Sequence, residues 1–258
     1  MLQFAKVLCH AHLTVQMWRA AIQTVSLSLF RFPTLAGRLW VLGQMGLSRL
    51  SFAKMSDARF WKLCGSGVGE GFTPVHNTAV WAMLVVWDDR ATAERNVCEA
   101  PVYKRWRRKA AEDWTVYLTP TSARGEWSGQ TPFSAASHDD AGALAALTRA
   151  TIRPRHLPRF WGREPAISKA IGADPNVLFK IGIGEVPWLH QVTFSIWPDA
   201  SSMAAFARSP DGPHAKAIKA VRAGDWFKEE LYARFAVTGS TGTWEGRDPL
   251  ASAERTAA

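Results

Sequence analysis

The sequence is poor in cysteine. Its three cysteines, Cys9, Cys64 and Cys98, form neither a CxxC nor a CxxCH motif. A sparse, odd set of this kind argues against a disulfide framework and against covalently attached c-type haem. It suits a reducing compartment, so we predict a cytoplasmic protein.

Long apolar runs are also missing. No stretch approaches the ~18 uninterrupted apolar residues that a membrane-spanning helix needs. Polar residues interrupt the first 22 positions, and no small-residue cleavage site follows them, so this segment does not resemble a signal peptide. We predict that residues 1–22 are an N-terminal extension, within which Met17 could also initiate, and that 247–258 are a disordered tail.

Several catalytic signatures are absent as well. The chain has no G-x-S-x-G nucleophile motif and no E-x-x-H motif for a di-metal carboxylate site. The glycine run Gly65-x-Gly67-x-Gly69-x-Gly71 lacks the G-x-G-x-x-G spacing and the G-K-[ST] ending of phosphate-binding loops. It is more typical of a flexible hairpin connection than of a nucleotide site.

Tryptophan and positive charge are abundant. The 258 residues include 13 Trp but only 3 Tyr, and 31 Lys and Arg stand against 22 Asp and Glu. Tryptophan is suited to lining a deep apolar cavity. The net charge of +9 favours an anionic partner, such as an acidic lipid surface or an acidic redox protein.

The chain contains an internal repeat. Gly125-x-Trp127-x-Gly129 recurs as Gly242-x-Trp244-x-Gly246, and Gly65-Ser66-Gly67 recurs as Gly182-Ile183-Gly184. Four further short blocks recur in the same order, although the spacing between blocks differs. An ordered set of matches indicates two copies of one structural unit.

Each copy has the pattern of a βαββαβ unit. The first, within 23–120, contains predicted strands at Thr24–Phe32, Arg59–Cys64, Ala79–Trp87 and Trp114–Pro120, with helices at Leu35–Met55 and Asp88–Ala111. The second, within 144–246, contains predicted strands at 145–153, 177–183, 189–197 and 229–238, with helices at 157–171 and 199–223. Residues 121–143 are rich in Gly, Ser, Thr and Ala and are predicted to be a linker.

These units indicate an α+β protein. A ferredoxin-like unit covers one face of its sheet with helices and leaves the other face bare. Two such units in one chain can close their bare faces on each other. We therefore predict tandem ferredoxin-like βαββαβ units that form a dimeric-α/β-barrel-type fold within one chain, with an internal chamber.

His214 is the first candidate metal ligand. It follows Gly212-Pro213, a helix-start pattern, and shares an inward face with Ile218 and Val221. An imidazole on an apolar face can ligate a haem iron. The alternative from the pattern alone, a histidine hydrogen-bonded near a helix start, has more weight.

Two other histidines are rivals. His190 and His76 each stand at the start of the third strand of their half, which places them at a barrel mouth. Each could act as a ligand or as an acid–base group, although a histidine in a hairpin loop is the commoner case.

A basic run lies in the second predicted helix of the first half. Its five cations are Lys104, Arg105, Arg107, Arg108 and Lys109. A solvated helix face is the simpler interpretation, and a docking patch for anionic lipid or an acidic electron donor is the functional one. No nucleic-acid-binding module accompanies it, so we predict no nucleic-acid partner.

Longer blocks carry a family resemblance. Arg38–Met45, Arg59–Pro74, Ala146–Pro154, Val186–Asp199 and Glu229–Val237 resemble the spheroidene monooxygenases, a family of bacterial carotenoid ketolases. The resemblance extends over about residues 24–248.

The resemblance implies an enzyme with non-covalently bound haem b that uses O2 and a reduced ferredoxin-type donor. It would introduce a keto group at C-2 of spheroidene and related acyclic carotenoids, at the cytoplasmic periphery of a membrane. With this family in mind, His214 is the main candidate for the haem ligand, His190 the alternative and His76 the second alternative. Competing hypotheses are a non-catalytic carotenoid-, lipid- or haem-binding barrel, and haem chemistry other than oxygenation.

Overall fold

A computed structural model of the chain describes residues 22–69, 73–137, 142–162, 176–208 and 224–251. In the first half the elements are β1 (Thr24–Arg31), α1 (Leu35–Ala53), β2 (Phe60–Gly67), β3 (His76–Trp87), α2 (Arg90–Glu99), α3 (Pro101–Arg107) and β4 (Glu112–Gly125).

The second half repeats this order. Its elements are β5 (Leu144–Ile152), a 3-10 turn at Pro154–His156, the helical residues 157–162 (α4), β6 (Phe179–Gly184), β7 (His190–Trp197), α5 (Ala200–Arg208) and β8 (Phe227–Gly242). The predicted helices 157–171 and 199–223 extend beyond the described residues.

The eight strands form one closed antiparallel barrel with the order β1-β3-β2-β6-β7-β5-β8-β4. Within it, each half has the ferredoxin-like order, β4-β1-β3-β2 in the first and β8-β5-β7-β6 in the second. The halves join through β4 and β8, which pair from Trp114–Gly242 to Gly125–Leu231, and through a short contact between β2 and β6. The predicted tandem dimeric-α/β-barrel-type fold is confirmed.

Local sequence signals explain where the helices begin. Thr34 caps α1 by accepting a hydrogen bond from the Gly37 amide at 3.1 Å, and Asp89 caps α2 by accepting one from the Thr92 amide at 2.8 Å. Pro101 divides the single helix predicted at Asp88–Ala111 into α2 and α3, because a proline has no amide hydrogen to continue the first helix.

The barrel interior is a packed core. Alternate residues of every strand point inward, and they include fully buried side chains such as Leu27, Val116, Phe194 and Phe235. An eight-stranded barrel is just wide enough for side chains to fill it. The prediction of an internal chamber is therefore wrong for the described strands.

The outer face of the first half is a second core. Phe30, Phe32 and Trp87 are fully buried beneath α1, α2 and α3, and so is Trp106, which α3 itself contributes. Trp106 Nε1 donates to Ser48 Oγ of α1 at 2.9 Å, so this large side chain buries no unpaired donor.

Both barrel ends are closed by the recurring tryptophan turn. After β4 the chain turns at Gly125 and buries Trp127, and after β8 it turns at Gly242 and buries Trp244. Both glycines have positive φ, and a Cβ on either would collide with a backbone carbonyl of the opposite strand. Residues 121–125, placed in the predicted linker, thus belong to β4.

In the part of the chain that the structure describes, none of the helices has the length and apolarity needed to cross a bilayer.

Candidate functional site

A groove of about 420 Å³ lies where β2 meets β6. We call it the joint groove. Side chains of α1, β3, α4, β6 and the β6–β7 connection line it, and most are apolar or aromatic. They include Leu42, Met45, Trp81, Trp161, Ile183, Val186, Pro187 and Trp188.

Two of the predicted site residues meet in the joint groove. His76, at the start of β3, and His190, at the start of β7, both line it. The His76 ring contacts Trp188 edge-on, with ring centroids 5.2 Å apart. Trp188 Nε1 in turn donates to the Pro74 carbonyl at 2.9 Å, which ties the two hairpin connections together.

Glu185 is the polar centre of the groove. His190 Nδ1 lies 3.3 Å from Glu185 Oε2, Lys62 Nζ donates to Oε1 at 2.9 Å, and Trp127 Nε1 donates to Oε2 at 2.8 Å. Burial alone would raise the pKa of Glu185. The close contact with His190, the Lys62 ammonium and the hydrogen bond from Trp127 outweigh burial and lower the pKa of Glu185 to about 2.

A second ion pair extends this cluster into the barrel. Arg149 is 1% exposed and pairs with Glu229, which also accepts hydrogen bonds from the Ser128 and Gly129 amides at 3.0 and 2.7 Å. Arg149 Nη2 lies 3.8 Å from Glu185 Oε2. The four charges of Lys62, Arg149, Glu185 and Glu229 therefore compensate one another at one barrel end.

Sequence reasoning missed this charged cluster. The available signal was a charged residue at an inward position of an otherwise apolar strand. Lys62 in β2 and Arg149 in β5 each occupy such a position, since the registers place them beside Leu84 and Val192.

The outer face of the second half differs from that of the first. At positions where the first half has Phe30, Leu63, Trp81 and Met83, the registers place smaller or polar residues. We call this surface the small-residue face; its members are Ala146, Thr148, Ala150, Gly182, Gln191, Thr193 and Ser195. Gln191 also lines the joint groove, so the two features are continuous.

His214 lies outside the described residues. The basic run of α3 is described, and it divides into two groups. Lys104, Arg108 and Lys109 are exposed. Arg105 donates to Gln44 Oε1 at 2.8 Å, and Arg107 pairs with Asp113 at 3.0 Å, so these two cations stabilise the first half.

Across the described ranges, no three His, Cys, Asp or Glu side chains converge as a metal-ion site would require. A haem iron requires only one or two protein ligands, so the candidates for haem ligation remain single histidines.

No family model matches the chain. The chain is 56% identical to the spheroidene monooxygenase of Cereibacter sphaeroides over 233 residues, which cover 90% of this chain and 72% of that protein. It is 52% identical to the Rhodobacter capsulatus protein of the same name over 88% of this chain and 95% of the relative. The corresponding Rubrivivax gelatinosus protein is 34% identical over 82% of this chain and 81% of the relative.

Solved structures support the fold. An aldoxime dehydratase in complex with butyraldoxime superposes with a TM-score of 0.58 at 12% identity, covering 85% of this chain and 80% of that one. A second aldoxime dehydratase structure gives 0.56 at 13% identity, covering 84% and 82%. At this identity only the architecture is shared. The sequence identities above confirm the family: the chain belongs to the spheroidene monooxygenases and is an oxidoreductase of the monooxygenase class.

Proposed function

We propose that this chain is a haem-dependent carotenoid monooxygenase that introduces a C-2 keto group into spheroidene and related acyclic carotenoids. It would use O2 and electrons from a reduced ferredoxin. The observation that carries the proposal is the 56% and 52% identity to two proteins named spheroidene monooxygenase over most of the chain.

The joint groove is the proposed site for the reacting end of the polyene. Its volume of about 420 Å³ is within the usual range of ligand pockets, and its aromatic walls suit an extended apolar chain. Trp81, Trp161 and Trp188 would hold the polyene end by apolar contact and exclude water from it.

The small-residue face is the proposed site of the haem. The size of its side chains supports this proposal, because Ala150, Gly182 and Thr193 stand where the first half has large side chains, and a flat apolar group needs such small neighbours. Lys180 stands on this face where the first half has Trp61, and its ammonium would neutralise a porphyrin carboxylate. When bound, the haem would supply oxygen activation.

His214 is the proposed axial ligand, with His190 as the alternative and His76 as the second alternative. One contact favours His190 over His76 as a ligand. Because its Nδ1 faces Glu185, Nε2 is the nitrogen that a ligand in the groove would meet. Carboxylates that orient a histidine through the other ring nitrogen are typical of iron and zinc sites.

If His214 holds the iron, His190 remains available for proton chemistry. The pKa of Glu185 is lowered to about 2, so its carboxylate stays ionised beside Nδ1 of His190. His190 would then serve as an acid–base group through Nε2 at the polar end of the groove, next to the reacting end of the polyene.

Expression in a host that makes spheroidene tests the function. We expect a 2-keto pigment under air, none under argon, and ¹⁸O in the ketone when ¹⁸O2 is supplied. Purified protein should show a haem Soret band. A pigment that stays bound but unoxidised with O2 and reduced ferredoxin would instead indicate a binding protein.

Three single variants test the ligand. We expect His214→Ala to lose the Soret band while the far-ultraviolet circular dichroism is unchanged, and His190→Ala and His76→Ala to retain it. A band that disappears only in His190→Ala would move the ligand to His190.

A further inference from the structure

Helix α1 turns its apolar side outward. Its buried positions include the polar side chains of Gln44 and Ser48, whereas five leucines are exposed. We call these leucines the apolar face; they are Leu35 (72% exposed), Leu39 (62%), Leu42 (48%), Leu47 (56%) and Leu50 (63%). A surface helix of a protein that meets only water has the opposite arrangement.

The apolar face is continuous with the joint groove. Leu42 belongs to both. At the two hairpin connections, Val75, Val186 and Trp188 are exposed by 61%, 40% and 53%, and the last two line the groove. The groove therefore opens between two apolar surfaces, and one of them carries a tryptophan with its indole N–H hydrogen-bonded.

Positive charge flanks the apolar face. Helix α3 packs on α1 through the Trp106–Ser48 and Arg105–Gln44 hydrogen bonds. Lys104 of α3 and the two residues that follow the helix, Arg108 and Lys109, are exposed. Neither residues 35–54 nor residues 101–111 contain an Asp or Glu. The surface therefore combines leucines, one exposed tryptophan and uncompensated cations, which is the composition that binds an anionic membrane interface.

We propose that the apolar face, together with the exposed residues at the groove rim, docks on an anionic lipid bilayer. A second copy of the chain is a poorer occupant, because a symmetric contact through α1 would bring two cationic α3 helices together. Docking turns the joint groove toward the membrane. An apolar polyene then enters the groove from the bilayer without crossing water, and this last step rests on the proposed function.

Vesicle flotation of the full-length chain tests the docking. We expect the protein to float with vesicles of phosphatidylcholine containing roughly a third phosphatidylglycerol, and to float poorly with phosphatidylcholine alone. Leu39→Gln/Leu50→Gln keeps good helix formers and leaves the groove lining intact. We expect it to lower the partition coefficient by about tenfold or more.

The charge contribution has its own variant and matched control. Lys104→Gln/Lys109→Gln should weaken binding to the anionic vesicles by about fivefold per cation at low salt. Arg234→Gln/Arg247→Gln removes the same charge from two exposed sites of the second half and should bind like the wild type. If both pairs weaken binding equally, net charge rather than this surface would account for the attraction, and the proposal would be wrong.

Light scattering identifies the competing occupant. A wild-type dimer that Leu39→Gln/Leu50→Gln converts to a monomer, without vesicle binding, would assign the face to a second copy. A monomer that does not float would show that the apolar face does not dock on lipid, and the proposal would be wrong. The vesicles contain no carotenoid, so either result is independent of the proposed ketolase activity. Turnover of detergent-dispersed carotenoid should be unchanged in Leu39→Gln/Leu50→Gln, while turnover of vesicle-embedded carotenoid should fall.

Discussion

The two halves of the barrel have the same strand order, but their outer faces carry different side chains. In the first half, Phe30 and Trp81 are cross-strand partners on the outer face, and they pack under three helices. The corresponding pair in the second half is Ala150 and Gln191. One sheet therefore carries its own aromatic core on this face, whereas the other carries small and polar side chains beside the joint groove. The second copy thus departs from the first next to the joint groove, where we propose that the reaction takes place.

The barrel ends differ in the same way. Each is closed by an equivalent tryptophan turn, but the neighbours of the two indoles are unlike. Trp127 donates to Glu185 within the charged cluster, while Trp244 lies under the guanidinium of Arg31, 4.5 Å from its ring centroid. At the inward position equivalent to Arg149, the first half has Leu29. The repeated turns maintain the barrel, and the buried cluster of Lys62, Arg149, Glu185 and Glu229 is an addition at one end.

Glu185→Gln should have the largest effect on stability. The substitution leaves the buried cations Lys62 and Arg149 with only Glu229 as a counter-charge, and breaking a buried ion pair costs about 3–5 kcal/mol. Urea denaturation at neutral pH should show this loss. Glu245→Gln is the control at the other barrel end, because its pair with Arg31 is exposed and should contribute less than about 1 kcal/mol.

The same variant should change the acid dependence of unfolding. The folded-state pKa of Glu185 is about 2 and its ordinary value is 4.5, so its stabilisation is complete above pH 4.5 and is lost as the pH falls toward 2. The wild type should therefore lose up to about 3 kcal/mol in this interval through Glu185. Glu185→Gln should have a flatter profile between pH 5 and pH 2; an unchanged slope would contradict the assignment.

The order of strands and helices in the two halves could be predicted from the sequence, because strand alternation and the repeated short blocks are visible in short stretches of residues. The Gly125 and Gly242 turns align correctly, since both must adopt positive φ against an opposing carbonyl. The alignment of Gly65 with Gly182 is off by two residues. The registers make Gly65 equivalent to Gly184, and these two glycines are paired across the β2–β6 joint.

The site was harder to predict, because it depends on which face a side chain occupies. The abundance of tryptophan suggested an internal chamber, yet Trp87 and Trp106 fill the outer core of the first half. Glu185 gathers partners from β2, from the turn after β4 and from β7, so its network appears only when the barrel closes. His190 and His76 could be placed at a barrel mouth because each begins a strand.

Gly65 and Gly184, which pair where β2 meets β6, provide a matched pair of substitutions with an intermediate expected effect on stability. A Cβ on Gly184 would collide with the His190 carbonyl oxygen, whereas a Cβ on Gly65 would lie 3.5 Å from the Trp81 ring, an ordinary contact. Gly184→Ala should therefore lower the free energy of unfolding by about 2 kcal/mol, and Gly65→Ala by less than about 0.5 kcal/mol. Equal losses would mean that the two sides of the joint are packed alike.

The smallest free-energy effect concerns the small-residue face. Ala150→Phe/Thr193→Met gives the second half the residues that Phe30 and Met83 provide in the first, and it should obstruct a flat ligand there. We expect haem affinity, measured by Soret titration of the apoprotein, to fall at least about tenfold, or about 1.4 kcal/mol. Leu63→Ala is the control from the first half, since its cavity should lower stability by about 2–5 kcal/mol without changing haem affinity. If this double variant folds and its haem affinity is unchanged, the haem binds elsewhere. The difference between the two outer faces would then have no relation to haem binding.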